Sequence, residues 1–213
     1  MIQSITLKVY KVNALRFMAC LFIAIIFTGC GSAVQYTLSA DYDKTALRSI
    51  AVLPVRGEVK DADVRYLFRT MAQEKLTQMG YAPLALEVVD DKLLRKGIGR
   101  DDVDVKTPKE LAEILDVDAV VYTTITEWDT TLFLSYASIQ IGAKIELYYG
   151  ASGDKLWESE FNAADSDMSL ERGVMELGIV KAYEPVIQRI VDAVFSPIPA
   201  NKVVVKAYYD WLP

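Results

Sequence analysis

The chain has 213 residues, of which 52% are hydrophobic and 24% charged, and this composition excludes a disordered or collagen-like protein. It contains no histidine, which is the commonest general base and the commonest metal ligand, and only two cysteines. Three of its 23 bases and none of its 29 acids lie in the first 29 residues, which leaves a formal charge of −9 on the remainder and argues against nucleic acid as a partner.

The first 29 residues form a predicted secretion signal. Three bases up to Arg16 precede an uncharged apolar run, residues 17–27, which is about half as long as a membrane-spanning helix. The pair Gly29-Cys30 follows this run and resembles the lipobox of bacterial lipoproteins, in which the chain is cut before the cysteine and the cysteine sulfur is acylated. We therefore expect a signal peptide over residues 1–29, cleavage between Gly29 and Cys30, and lipidation of Cys30. An ordinary signal peptide that ends near a cysteine is the alternative.

The cysteine count supports lipidation. Cys20 lies in the apolar run and would be removed with it, so Cys30 would be the only thiol of the mature chain and no intramolecular disulfide could form. Gly31 and Ser32 follow the cysteine, and in lipoproteins of this type the absence of aspartate there indicates sorting to the outer membrane. We expect acyl chains on Cys30 to hold the protein at the outer membrane, a tether over residues 30–47, and a domain over residues 48–213 that faces the periplasm.

The hydrophobic pattern next predicts alternating strands and helices. Strands are predicted at residues 49–55, 81–86 and 119–126, and helices at 61–79, 88–96 and 107–115. The last of these helices has the clearest beginning, because Thr107 and Glu110 have the spacing of a capping box and Pro108 takes the first helical position.

The second half of the chain predicts a hairpin and a long helix. Regular alternation over residues 139–149 and a return over 156–162 predict two antiparallel strands joined by a glycine-rich turn. A helix begins near Ser169 and is kinked or divided at Pro185. Residues 130–136 are either a connection or the first half of a long strand. The order β-α-β-α-α-β, hairpin, helix predicts one α/β (α+β) domain, a single mixed sheet flanked by helices.

Motifs for metal or nucleophile chemistry are weak in this sequence. Acids cluster over residues 101–104 and 165–167 without the ligand ladder of a calcium loop, so we expect no metal. Ser152 and Lys155 match the spacing found in serine acyl-enzymes, but they lie in the predicted hairpin turn. We expect no catalytic residue of this kind and no cofactor.

Two alternatives to a non-enzymatic protein stay open. Glu127 and Asp129 follow the predicted central strand, at the end of the sheet where α/β enzymes place their sites, and paired carboxylates would suit a cell-wall hydrolase. A carrier of small molecules or lipids would instead require an apolar cavity large enough for its ligand.

Aromatic residues predict a surface for protein partners. They are more numerous around the hairpin and in the C-terminal tail than a core requires, and a surplus of aromatics is typical of protein contacts. The candidates are Trp128, Phe133, Tyr136, Tyr208, Tyr209 and Trp211. Together with open sheet edges, they favour a protein that binds other proteins or itself.

Four short segments resemble one family. They are Arg48-Ser49-Ile50-Ala51-Val52-Leu53-Pro54, Gly80-Tyr81, Asp118-Ala119-Val120-Val121-Tyr122 and Gly153-Asp154-Lys155-Leu156-Trp157. Together they resemble a bacterial outer-membrane lipoprotein family of unknown function that includes a neisserial vaccine-candidate lipoprotein. The resemblance implies an α/β domain similar to TolB N-terminal and CsgG-like lipoproteins, which acts as an oligomerising or partner-docking module in envelope assembly or transport. It implies no catalytic residues, a CsgG-like lipoprotein as a partner, and assembly into a homo-oligomer.

Overall fold

The computed structural model of the protein describes residues 33–42, 45–57, 59–100, 102–133, 136–165 and 179–200. For residues 130–133, 136–139, 165 and 179–182 it describes the backbone alone. The predicted signal peptide and the pair Gly29-Cys30 lie outside the described residues. So do the predicted beginning of the last helix and the tail from residue 201 onward.

The described residues form seven strands and four α-helices. The strands are β1 (Gln35–Leu38), β2 (Ser49–Val52), β3 (Arg56–Gly57), β4 (Ala82–Pro83), β5 (Ala119–Phe133), β6 (Tyr136–Tyr149) and β7 (Lys155–Asp165). The helices are α1 (Ala62–Gln78), α2 (Leu86–Arg95), α3 (Pro108–Leu115) and α4 (Ile179–Phe195), with a 3₁₀ turn at Val103–Val105. The predicted mixed α/β architecture is confirmed.

The strands make one mixed sheet in the order β1-β7-β6-β5-β2-β4. In its parallel half, β4, β2 and β5 run in the same direction, and the short β3 continues the line of β2 along β5. In its antiparallel half, β5, β6, β7 and β1 alternate in direction. The parallel strands β2, β4 and β5 are joined through helices, whereas β5, β6 and β7 follow one another in the chain with no helix between them.

Two helices begin at side chains that the sequence marks as caps. The Asp61 carboxylate accepts hydrogen bonds of 2.9 and 3.3 Å from two N–H groups in the first turn of α1. Thr107 and Glu110 form the predicted capping box of α3, with Pro108 in its first turn. The Thr107 N–H donates to the Glu110 carboxylate at 2.8 Å and lowers its pKa.

Helices cover the two faces of the sheet unequally. α1 and α4 pack on one face, against inward side chains of β2, β5, β6 and β7, and bury Phe68 and Trp157. α2 and α3 pack on the other face over the parallel half, where Leu53, Leu111 and Val120 meet, and α3 also reaches the adjoining end of β6 at Tyr148. Burial of each such side chain contributes roughly 1.5–3 kcal/mol. Apart from the end of β6 near Tyr148, no described helix covers the second face of β6 and β7.

The alternation predicted for residues 139–149 is confirmed and longer than expected. Ile141, Ile145 and Leu147 are buried beneath α4, and the intervening positions face away. Residues 130–133 belong to β5, and residues 136–138 belong to β6, paired as Phe133 with Tyr136 at the end. The segment 130–136 is therefore not the first half of a single strand: it contains the end of β5 and the start of β6, and residues 134–135, which connect them, lie outside the described part of the chain.

The tether predicted over residues 30–47 is contradicted for its second part. Residues 35–38 form β1, which pairs with β7, and the side chains of Tyr42 and Leu47 are buried in the core. All four residues of β1 are exposed, so this strand contributes no side chain to the core and lacks the buried apolar run that marks β2.

Two further boundaries differ from the sequence prediction. The strand expected at 81–86 shrinks to Ala82–Pro83, because Leu86 already begins α2 behind Ala85, which offers no capping side chain. α4 continues through Pro185 instead of dividing there. The residues around 169, where that helix was predicted to begin, lie outside the described part.

Candidate functional site

The hairpin formed by β5 and β6 extends beyond the rest of the sheet. β3 pairs with β5 only as far as Ile125, whereas β5 and β6 stay paired from Glu127 to Phe133, which is about 24 Å of strand. β7 follows β6 on the other side as far as Ile139. We call the part of β5 and β6 beyond Ile125 the extended hairpin. Among the described strands, none pairs with the outer side of β5 along this stretch.

The predicted aromatic surface is only partly assembled by the structure. Trp128 is half-buried at the base of the extended hairpin, and its ring lies 5.1 Å from the ring of Tyr183 in an edge-to-face contact. It thus joins the hairpin to α4. Phe133 and Tyr136 are paired at the hairpin end, where the backbone alone is described. The remaining predicted members, Tyr208, Tyr209 and Trp211, lie outside the described residues.

The strand β1 forms a second open edge of the sheet, and the sequence analysis did not predict this strand. β1 is the outermost strand, and its Tyr36 and Leu38 side chains are 57% and 39% exposed. The alternation of these two apolar residues with Gln35 and Thr37 is the signal that could have identified a strand. An exposed strand edge presents unpaired N–H and C=O groups that can add another strand.

The uncovered face of the antiparallel half is lined by ion pairs around Glu146. The Glu146 carboxylate lies 3.1 Å from Arg56 Nη2 and 2.6 Å from Lys155 Nζ, and it accepts a hydrogen bond of 3.1 Å from the Tyr148 hydroxyl. Lys144 Nζ is 3.0 Å from a Glu158 carboxylate oxygen. We call the surface formed by these residues the charged face.

Aromatic rings lie under the cations of the charged face. The Arg56 guanidinium lies 4.3 Å from the ring centre of Tyr122, whose own ring meets that of Tyr148 edge to face at 5.4 Å. Burial raises the pKa of Tyr122 to about 12, against the opposing effect of Arg56. The tyrosines therefore stay neutral, and the charged face holds its charges in fixed places.

The Ser152 and Lys155 pair does not have the geometry of an acyl-enzyme. Ser152 is exposed in the turn between β6 and β7, where its hydroxyl accepts a hydrogen bond from the Asp154 N–H. Partial burial acts to lower the pKa of Lys155, but hydrogen bonds to Glu146 and Glu158 outweigh it and raise that pKa. A lysine held protonated in this way cannot serve as the general base.

The two carboxylates proposed for a hydrolase lie on one strand. Glu127 and Asp129 are two residues apart in β5, on either side of Trp128, and face the same way across from Gly142 and Gln140. Asp129 is exposed and Glu127 half-buried. They line none of the three cavities described below, so no observation favours the hydrolase.

No three metal-ligating side chains come together within the described ranges. Of the predicted acid clusters, Asp104 forms an ion pair with Arg56, whereas Asp101 and residues 166–167 are outside the described part. A search of the described helices also finds none that is both long and apolar enough to cross a membrane.

Three cavities indent the ends of the sheet. One of about 330 Å³ lies at the amino end of β2, beside Ser49 and Asp118. The other two adjoin the carboxyl end of β2 and measure about 260 and 290 Å³, with Pro54 and Arg100 lining both. All are near the lower limit for ligand pockets.

Comparisons with known proteins identify the family. A family model described as "Putative lipoprotein GNA1162-like" matches residues 36–205, which is most of the chain. The chain belongs to the GNA1162-like lipoprotein family. A member from Neisseria meningitidis serogroup B, NMB1124/NMB1162, is 25% identical over 150 residues, which are 68% of this chain and 70% of that protein. The predicted resemblance to a neisserial lipoprotein family is confirmed.

Solved structures show that this GNA1162-like chain shares its fold with distant proteins. The crystal structure of lipoprotein GNA1162 from Neisseria meningitidis matches with a TM-score of 0.52 and 22% identity, over 68% of this chain and 99% of that one. PelC from Paraburkholderia phytofirmans, described as a dodecamer, matches with a TM-score of 0.52 and 15% identity, over 80% of this chain and 99% of that one. Membership of a lipoprotein family implies a membrane-anchored protein of the cell envelope.

Proposed function

We propose that this GNA1162-like protein is an outer-membrane lipoprotein, acylated at Cys30 and facing the periplasm, that acts as a non-enzymatic docking module in envelope assembly or transport. Its partners would be other envelope proteins, a CsgG-like lipoprotein among them, or further copies of itself. The observation that carries the proposal is the extended hairpin, which leaves the outer side of β5 without a neighbouring strand from the described residues.

The extended hairpin is suited to binding another chain through its backbone. Beyond Ile125, no strand among the described residues pairs with the outer edge of β5, and an added strand there would supply affinity without a preformed pocket. The contact between Trp128 and Tyr183 fixes the base of the hairpin against α4, so less entropy would be lost when a partner binds.

The register of β1 shows at which end of the sheet the chain that leads back to Cys30 begins. Gln35, the first residue of β1, lies in the same row across the sheet as Lys144 of β6 and Arg56 of β3. The chain before Gln35 therefore leaves the sheet at the end from which the extended hairpin projects. Cys30 is five residues earlier, a distance of at most about 18 Å along an extended chain. An acylated Cys30 would keep a docked partner close to the membrane surface.

Self-association is one form that this docking would take. The fold is shared with PelC, which forms a dodecamer, and both sheet edges of this chain offer strands to a second copy. Because the charged face is hydrophilic, contacts between copies would use the edges and the extended hairpin.

Site-specific photo-crosslinking in cells tests the docking role. A photoreactive residue replacing Phe133 at the hairpin end should give discrete adducts, because that position would lie at the interface. The same residue replacing Tyr66, which is 52% exposed on α1, is the matched control and should give few. Equal labelling from both positions, or monomer alone from position 133, would argue against docking through the extended hairpin.

Mass spectrometry of the protein purified from its own membrane tests the anchor. We expect a chain that begins at Cys30 and carries acyl groups on it. A chain that keeps residues 1–29, or a bare Cys30 sulfur, would refute the lipid anchor and the outer-membrane location that depends on it.

A further inference from the structure

A cavity at the carboxyl end of β2 gathers positive charge in an acidic protein. Its volume is about 260 Å³. Four of the eight residues that line it are cations, namely Lys60, Arg65, Arg69 and Arg100. The other lining residues are Pro54, Val55, Ala62 and Tyr66. We call this space the basic cavity. Its cations contrast with the excess of acids in the chain as a whole.

One of these cations, Arg69, is buried and hydrogen-bonded within the fold. Arg69 is only 4% exposed, and its Nε and Nη2 each donate a 3.0 Å hydrogen bond to the Val52 carbonyl at the end of β2. Its Nη1 donates to the Asp90 carboxylate at 2.6 Å. Burial lowers the pKa of Arg69, so an added anion would stabilise the charged guanidinium.

The described carboxylates beside the basic cavity do not neutralise it. Asp90 is shared between Arg69 and Arg100, with Arg100 Nη2 at 3.7 Å. Asp61 caps the first turn of α1. Lys60 forms no ion pair within the described part of the chain. Arg65 donates hydrogen bonds to the Val59 and Gly57 carbonyls and has a further partner. Within the described part of the chain, Lys60 and the exposed Arg100 are therefore the cations of the cavity that can turn donors toward an anion.

The topology places the basic cavity where α/β sheets bind ligands. β2 lies between β4 and β5, and the chain leaves β2 through α1 on one face of the sheet and reaches β5 through α2 and α3 on the other. The carboxyl end of a strand at such a reversal is the usual ligand crevice, and the α1 N-terminus adds a favourable dipole for an anion.

An apolar space continues from the basic cavity. The adjoining cavity of about 290 Å³ shares Pro54 and Arg100 with it; Leu93, Leu94 and Ile98 of α2 and the following turn form its apolar wall, and Asp90 and Asp91 line its other side. Leu94 is 73% exposed there. An anionic group in the basic cavity would therefore have room beside it for a hydrocarbon chain.

Both cavities lie at the same end of the sheet as the start of β1, from which five residues lead back along the chain to Cys30. They lie at the carboxyl end of β2, and the register places the start of β1 at that same end of the sheet, four strand spacings or about 19 Å to the side. If Cys30 carries the lipid, as in the proposed function on which this step depends, membrane headgroups lie within reach of the basic cavity.

We infer that the basic cavity binds the phosphate of an anionic glycerophospholipid from the membrane in which the protein is anchored. Lys60 and Arg100 bind the phosphate. Arg69 and the N-terminus of α1 make the electrostatic potential in the cavity positive, and the acyl chain lies along Leu94. The site orients the domain on the membrane surface, in addition to the attachment at Cys30.

Calorimetric titration of the protein, purified in detergent as the cell makes it, tests this assignment. The probes are dihexanoyl phosphatidylglycerol, dihexanoyl phosphatidylcholine with the same chains and no net charge, and glycerol 1-phosphate without chains. We expect phosphatidylglycerol to bind at least tenfold more tightly than either. Equal binding of both lipids would refute anion recognition, and equal binding of glycerol 1-phosphate would refute the lipid as the ligand.

Paired substitutions locate the binding site. The variant with Lys60→Gln and Arg100→Gln should lose about tenfold in affinity for phosphatidylglycerol, because each side chain contributes charge-assisted hydrogen bonds. The control with Arg48→Gln and Lys109→Gln makes the same change of charge at exposed residues that line neither cavity and should bind as the unmodified protein does. Equal losses in the two variants would refute the site.

The same samples separate this inference from the proposed function. An unacylated protein that still binds phosphatidylglycerol through Lys60 and Arg100 would refute the anchor and leave the lipid site standing. An acylated protein that binds neither lipid would refute the lipid site and leave the anchor standing.

Discussion

The parallel and antiparallel halves of the sheet differ in how far helices bury their strands. In the parallel half, helices cover both faces, and residues 50–53 have no exposed surface. In the antiparallel half, α4 covers one face, and the other is the charged face. This difference is visible in the sequence, because residues 50–53 are continuously apolar whereas residues 139–149 alternate.

The parallel half contributes mainly to the stability of the fold, and the antiparallel half mainly to contacts with other molecules. The parallel half is tied together by buried polar contacts that no solvent can replace, so changes there should reduce the free energy of unfolding. The antiparallel half keeps its backbone edges and its charges at the surface, so changes there should matter for contacts and little for folding.

The largest effect is expected at Arg69. The substitution Arg69→Met leaves the Val52 carbonyl and the Asp90 carboxylate without their donor and should lower the free energy of unfolding by about 3 kcal/mol. Lys144→Met, which removes ion pairs from the charged face, should cost at most about 1 kcal/mol. Urea unfolding followed by tryptophan fluorescence measures both. Similar losses would contradict the contrast between the halves.

The next effect concerns the close approach of β3 to β5. Gly57 has φ +112°, and a Cβ added there would lie 2.3 Å from the Ile125 carbonyl oxygen. Gly57→Ala should therefore lower the free energy of unfolding by about 2–3 kcal/mol. Gly97, with φ +71° and open space around it, is the control, and Gly97→Ala should cost about 1 kcal/mol. Equal costs would show that β3 can shift away from β5.

A smaller and pH-dependent effect is expected at Asp118, which joins the starts of β2 and β5. Burial acts to raise its pKa, but hydrogen bonds from the Ser49 and Arg48 N–H groups, at 2.9 and 2.8 Å, outweigh it and lower that pKa. The carboxylate therefore contributes stability above its unfolded pKa of about 4, and this is lost as pH falls through the folded value.

Replacement of Asp118 by its amide measures this contribution. Asp118→Asn should lower the free energy of unfolding by about 1–2 kcal/mol at pH 7. It should also flatten the decline in stability below pH 4, measured by urea titration at several pH values. An unchanged slope would show that other carboxylates carry the acid sensitivity.

The smallest effect, and one of opposite sign, is expected at Thr123. Its hydroxyl is buried in β5 and has no partner among the described residues. Thr123→Val keeps the shape and removes an unsatisfied polar group, so thermal stability should be unchanged or rise, by up to about 1 kcal/mol. A clear loss of stability would show that the hydroxyl bonds to a group outside the described part of the chain.

Local signals made the core elements of the fold predictable. The capping box at Thr107, the continuous apolar run of β2 and the alternation of β6 each lie within a dozen residues, and the structure contains all three. β1 was missed because its stability comes from pairing with β7, far along the chain, and none of its own residues is buried.

The basic cavity could not be predicted for a related reason. Lys60, Arg65 and Arg69 lie near one another in sequence, but Arg100 is brought to them by the packing of α2, and each alone is typical of a solvated surface. Trp128 shows the converse, since an aromatic that suggested a partner surface is largely used within the protein.

The charged face restricts how copies of this domain can assemble. Stacking two such sheets face to face would take Lys144, Glu146, Lys155 and Glu158 of each copy out of water, and the ion pairs formed would not repay the lost hydration. A β-sandwich between two molecules is therefore excluded by the chemistry of this surface. An array built through the sheet would therefore grow within its plane, strand beside strand, or at the hairpin.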